Sequence, residues 1–268
     1  MKIFVADGES GLMAGSGGEL KKIGPPGEAL CLQGGYLYCA GGSRCRCYHA
    51  QSEERLFDLS LPSGICGLSG MGNVICALSQ DGDCLCAFCM ATGEMRYSVP
   101  AGIYPRDCCK SPCGKYLAVA GGLSGEILLF DESLCCLKKY RVPGAACGVC
   151  FLPRGIAALC AVEEGELSSL LMKISPRGVT EEILSCPQAP CSLCALPDGQ
   201  LLMGCSSQVI FLRPDGKISR RLSCIYPARI RRFRGTPLIC DICRGEIFTG
   251  KEKILYHGKE PWDIALEE

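Results

Sequence analysis

Cysteine is the residue type with the most chemistry to offer here. There are 24 in 268 residues, among them the Cys-x-x-Cys pairs Cys86/Cys89, Cys147/Cys150, Cys191/Cys194 and Cys240/Cys243. Such pairs hold zinc when two knuckle turns bring four sulfurs to about 2.3 Å from the ion, and low-pKa pairs run disulfide exchange. Four pairs are only a mild excess over chance at this abundance. In an extended strand, residues three apart point to opposite faces, so a pair without a turn between its members cannot chelate. Free cysteine then reads as a small buried hydrophobe, with metal and redox roles as alternatives.

Charge is the second chemical resource. In RIRRFRG (229–235) alternation places Arg229 and Arg231 on one face, Arg232 and Arg234 on the other. From Arg213 to Arg234 eight bases accompany one acid, Asp215, whereas Lys259–Glu268 holds one base and four acids. Two readings stay open for Arg229 and Arg231. They pair with Asp263 and Glu267, or they bind an anion through arginine's bidentate geometry. The two histidines, His49 and His257, stand beside no Ser/Asp arrangement, so a hydrolytic triad has poor support. Glycine pairs at 17–18, 34–35, 41–42 and 121–122 read as turns and open no helix, as a phosphate loop would require.

Something must position these groups, and a repeat supplies it. A glycine turn followed by an apolar run recurs in QGG-YLYCAGG, GMG-NVICAL, SPCG-KYLAVAGG, LPRG-IAALCAV, LPDG-QLLMGC and FRG-TPLICDI, and KIFVAD opens the chain. The spacings of 34 to 44 residues make seven copies of one unit across residues 1–268. Each copy carries four short runs, as in DCCK, YLAVAGG, EILLFD and CLKKYRV, with no helical period between them. This predicts an all-β, single-domain, seven-bladed β-propeller with four antiparallel strands per blade. The first copy lacks an inner strand, and PWDIALEE (261–268) matches one with nothing after it. The C-terminal strand should therefore complete the N-terminal blade and leave no open edge.

The third unit, PRDCCKSPCGKYLAVAGGLSGEILLFD (105–131), resembles the YVTN-type repeat of seven-bladed propellers, and LPDGQLLMGC (196–205) is a second match. No copy carries the Tyr-Val-Thr-Asn core, and the short motifs are shared with WD-repeat and lactonase-like propellers. The resemblance implies the fold and a binding role without naming a ligand. Aligned this way, one second-strand column reads Val5, Cys39, Cys76, Val119, Cys160, Met203, Cys240, with cysteine replacing valine or methionine.

Propeller sites lie at a channel mouth, where the loops leading into the inner strands converge. The residues following Pro26, Pro105, Pro190, Pro227 and Pro261, with their counterparts in the other two blades, nominate Glu28, Arg106, Asp107, Arg229, Arg231, Trp262 and Asp263 as ligand-binding, with none catalytic. Charges there must be paired, hydrated or waiting for a ligand. Asp7, Glu9, Glu28, Glu163 and Asp241 are the acids that could hold a divalent cation in a lactonase-like hydrolase, the runner-up to a non-enzymatic binding module. No metal or other cofactor is expected.

The 28 Lys+Arg balance 28 Asp+Glu, which argues against a nucleic-acid binder. The chain has no 18-residue apolar stretch to cross a membrane, and MKIFVADGES is too weakly apolar for a signal peptide. Abundant cysteine without a secretion signal suits a reducing cytoplasm. The expected partner is a protein or a small anionic molecule, and the expected state is a monomer.

Overall fold

A computed structural model describes residues 1–16, 19–62 and 64–267. The predicted turn at 17–18 and the terminal Glu268 lie outside the described residues. Among those residues there are seven four-stranded antiparallel sheets and no helix. Consequently no helix is long and apolar enough to cross a membrane.

Numbered along the chain, the inner strands are Pro261–Glu267 (blade 1), Ala29–Gln33, Ile65–Met71, Asp107–Lys110, Ala145–Leu152, Pro190–Ala195 and Pro227–Phe233 (blade 7). Each touches the inner strand of the next blade, and blade 7 touches blade 1, so the ring is closed. The clasp forms as the repeat count requires. Pro261–Glu267 pairs antiparallel with Lys2–Asp7, with Ile264 opposite Val5 and Asp263 opposite Ala6.

The core is divided among the blade interfaces, because alternate side chains of a strand face opposite neighbours. Blades 1 and 2 share Phe4, Leu12 and Leu37; blades 2 and 3 share Tyr38, Ile75 and Phe88; blades 7 and 1 share Val5, Leu238 and Ile264. Cysteine fills space in these layers. Fourteen of the 24 are buried, four (Cys113, Cys135, Cys136, Cys243) are exposed, and all are free thiols.

Register corrects the sequence alignment in three blades. Val5, Cys39, Val119 and Met203 do form one column, opposite Ile264, Leu30, Cys108 and Leu193. Its other members are Ala77, Ala158 and Ile239, opposite Leu68, Val149 and Ile230. Cys76, Cys160 and Cys240 instead face Ser69, Ala146 and Arg229. The cause is where the glycine falls relative to the turn. Gly35 is the second residue of the turn joining Gln33 to Tyr36 and stands four before Cys39, whereas Gly72 is the first of the turn joining Met71 to Val74 and stands five before Ala77. Gly155 already opens its strand, three before Ala158, so the glycine is not a constant distance from the column. All three cysteines are nevertheless fully buried.

Burial sets an observable order of thiol reactivity. The four exposed cysteines should react promptly with an aromatic disulfide reagent in the native protein, and all 24 should react once it is denatured. Stopped-flow absorbance measures both, and a much larger prompt phase would contradict the packed core.

Candidate functional site: the channel and its mouth

The inner strands surround a cavity of about 450 Å³, lined by six of the seven nominated residues: Glu28, Arg106, Asp107, Arg229, Arg231 and Trp262. Asp263 is the exception, since its side chain is wholly buried behind Arg231. Two rings of equivalent positions build the upper half. At the mouth stand Trp262, Glu28, Cys66, Arg106, Cys147, Cys191 and Ala228. Glu28 aligns with Arg106 here, because their amides make the same bond, to Ala40 O at 2.7 Å and Ala120 O at 3.0 Å. Directly below are Asp263, Ala29, Gly67, Asp107, Gly148, Ser192 and Arg229.

The glycines of that second ring let adjacent blades approach, since a Cβ would lie 3.0 Å from Cys108 Sγ at Gly67 and 3.1 Å from Leu193 Cβ at Gly148. Arg229 of blade 7 reaches Asp107 of blade 4 at 3.0 Å and gives a second hydrogen bond to Cys66 O of blade 3 at 2.7 Å. Asp107 also accepts the Val149 amide of blade 5 at 3.1 Å. Arg231 grips Asp263 with two bonds of 2.8 and 2.7 Å, and Asp263 accepts the Leu30 amide of blade 2 at 2.9 Å. Asp107 and Asp263 thus make the same bond to the next blade. The pairing reading holds for Arg231 and Asp263. Arg229, however, is answered by Asp107 across the channel rather than by Asp263 or Glu267, because its side chain points inward from the ring and not along the clasp. The buried Arg229 Nε meets no acceptor among the described residues.

The two acids respond differently. Burial raises Asp107, and Arg229 only partly offsets that. Burial acts on Asp263 too, but Arg231, Arg229 and the Leu30 amide together hold it below the ordinary value of 3.8.

At the mouth, Arg106 has no carboxylate partner among the described residues; its guanidinium lies 5.9 Å from the Tyr104 ring centre. Glu28 has no cation partner either, and partial burial together with the Glu260 carboxylate raises its pKa. Trp262 leans over Gly8, where an added Cβ would lie 2.9 Å from Trp262 Nε1 and 2.7 Å from Glu260 Oε2. Sequence reasoning missed Cys66 and Tyr226 in this lining. Tyr226 could have been found, because it directly precedes the strand-opening Pro227. Burial pushes the Cys66 and Cys191 thiols up to about 12, so both are protonated and weakly nucleophilic at neutral pH.

The five acids considered for a cation are dispersed. Asp7 accepts from the amides of Glu9, Ser10, Lys259 and Glu260 and from the Tyr256 hydroxyl. Asp241 does the same for Ile225 and Tyr226, so both clamp the loop leading into their own inner strand. Glu9 pairs with Lys259 at 2.9 Å, and Glu163 is exposed on blade 5. No group of three or more His, Cys, Asp or Glu among the described residues could hold a metal ion. His49 ends a third strand and His257 a fourth, and neither lines the cavity.

No protein-family model and no curated protein matches this chain. Solved structures do. The chain's fold is a seven-bladed β-propeller, and WD40 propellers are among the similar structures. It resembles a candidate 6-phosphogluconolactonase from Bacteroides fragilis NCTC 9343 at 12% identity and TM-score 0.75, over 100% of this chain and 98% of that one. It is similar to the WD40 β-propeller domain of Doa1 at 13% identity and TM-score 0.69, over 89% and 85%. BBS1N, solved in complex with ARL6DN, matches at 14% identity and TM-score 0.70, over 90% and 83%. At these identities the likeness establishes the fold alone.

Breaking a buried ion pair leaves a charge without compensation, which costs about 3–5 kcal/mol. Asp263→Ala should cost that much in urea unfolding at pH 7, whereas Glu28→Ala should stay within about 0.5 kcal/mol. Equal effects would disprove the assignment. The Asp263 contribution is complete above pH 3.8 and is lost as pH falls through the lower folded-state value. Asp107 acts oppositely: its raised pKa costs stability above that value and relieves the cost on protonation. Acid titration of Asp263→Ala should therefore show a shallower loss of stability below pH 3.8 than the parent protein.

Proposed function

We propose that this protein is a non-enzymatic binding module, resembling YVTN-repeat propellers, that presents its channel mouth to a partner protein. The observation carrying this reading is the division of the arginines. Arg229 and Arg231 are occupied by Asp107 and Asp263, whereas Arg106 faces the mouth without a carboxylate. Glu28, with Glu260 near it, and Trp262 complete a rim that offers charges of both signs and one broad apolar face. A protein segment can answer all three, with an acidic side chain on Arg106 and a basic one at Glu28. A small anion would use Arg106 alone, since the deeper arginines are neutralised. A reducing compartment is the setting we assign, in keeping with 24 free thiols, and the protein acts as a monomer because its ring has no unpaired inner edge.

BBS1N, a similar propeller, was solved with a bound protein partner, which supports this reading by analogy. Similarity to the Bacteroides protein keeps a lactonase-like hydrolase as the second reading. Its one available base at the mouth is Glu28, whose raised pKa suits proton transfer.

A photo-crosslinking residue at position 106 should capture a protein from the source cells, while the same residue at position 139 on an outer strand should not. Arg106→Glu should reduce co-purification of that protein about tenfold, roughly 1.4 kcal/mol. Hydrolysis of a sugar lactone by the purified chain, lost in Glu28→Gln, would overturn the binding-only reading.

A further inference from the structure

The face carrying the mouth has a second feature, on blades 4 and 5. The loop leading into blade 4 is stitched to its neighbours by two bridges outside the regular strands, Ile103 to Gly122 and Gly122 to Ala146. Leu123 N donates to Ile103 O at 2.8 Å, Ala146 N to Gly122 O at 2.8 Å, and Tyr104 N to Asp83 Oδ1 at 2.6 Å. Ala146 also pairs with Cys160, so residues 103, 122, 146 and 160 form a short ladder across the boundary between the blades. Strand spacing of about 4.8 Å puts Leu123 roughly 10 Å from the second strand of blade 5.

This rigid ladder holds apolar side chains in solvent. Leu123 is 68% exposed, Ile103 56% and Tyr104 41%. Tyr104 has φ 54°, a left-handed conformation that costs a bulky residue about 1–3 kcal/mol and that its surroundings must impose. Beside them the second and third strands of blade 5, Gly155–Glu164 and Glu166–Ile174, run for ten and nine residues. Second strands elsewhere have four to six residues, so this hairpin stands above the rim. It carries Leu167, 49% exposed, and the exposed acids Glu163 and Glu166.

We infer that the rim of blades 4 and 5 is the docking surface for the partner protein's basic–apolar segment, its apolar side chains seated on Ile103, Leu123 and Leu167 and its Lys or Arg against Glu163 and Glu166. This rests on the binding-module reading and names the partner's chemistry. Pre-organisation by the ladder removes the ordering cost that a mobile loop would incur on binding. Charge complementarity selects the occupant: an acidic apolar segment would be repelled by the hairpin. An exposed apolar patch on a stiff support is a usual mark of a protein interface.

The test uses purified full-length chain and fluorescein-labelled hexapeptides, read by anisotropy. Alternating Leu/Lys should bind at least tenfold more tightly than alternating Leu/Glu or Ser/Lys. Ile103→Ser with Leu123→Ser should weaken it about tenfold, and Glu163→Lys with Glu166→Lys should weaken it similarly and flatten its salt dependence. Thermal melts of these surface variants should match the parent. Equal binding of the three peptides, or indifference to both double variants, would overturn the proposal. So would concentration-dependent dimerisation abolished by Leu123→Ser, which would assign the patch to a second copy of the chain. Lys139→Glu, on the outer strand of blade 4, should leave Leu/Lys affinity within twofold. Capture at position 106 without peptide binding at the rim would refute the rim alone, so the two failures are registered separately.

Discussion

One side chain spans the channel, and much of the ring's interior follows from it. Arg229 leaves the inner strand of blade 7, crosses the axis and ends on Asp107 of blade 4, with a further bond to the backbone of blade 3. A charge this enclosed is tolerable only when paired and hydrogen-bonded. That requirement explains the company Asp107 keeps, with Arg229 on one oxygen and the Val149 amide on the other. The glycines of the same ring answer a different constraint, since a Cβ at Gly67 or Gly148 would press on Cys108 or Leu193 of the next blade.

The second pair does comparable work at the seam. Arg231 holds Asp263, and Asp263 holds the Leu30 amide, so a C-terminal strand, an N-terminal blade and its neighbour share one carboxylate. Backbone pairing alone would close the ring; the buried pair adds a geometric condition to the closure. Asp7 and Asp241 repeat this logic on a smaller scale, each gathering the amides of a loop that leads into an inner strand. With these four acids spent on architecture, the polar groups left at the mouth are few. The functional reading rests on that remainder.

Similar propellers include a candidate lactonase and proteins solved in complexes, so the fold is compatible with either use. The distinction lies in side chains near the rim, where this chain has Arg106, Glu28, Trp262 and a stiff apolar ledge.

The repeat, the blade count, the strand order and the C-terminal clasp were all legible in the sequence. Glycine turns and period-two runs are local signals, and seven copies leave one arrangement that buries every sheet. Burial of Cys39 was legible too, since it shares its column with valine and methionine. Register was not: the glycine stands three to five residues before the core column, and this displaced Cys76, Cys160 and Cys240 by one or two positions. Which residues line the cavity was largely visible, because a proline near the start of the inner strand marks them. Their pairing was not. Asp107 and Arg229 are 122 residues apart, and no local pattern says that a side chain will cross the axis rather than follow the clasp. Which charges are neutralised, which stay free, and which apolar residues are held in solvent are decided by distances across the closed ring, and those exist only once the ring has formed.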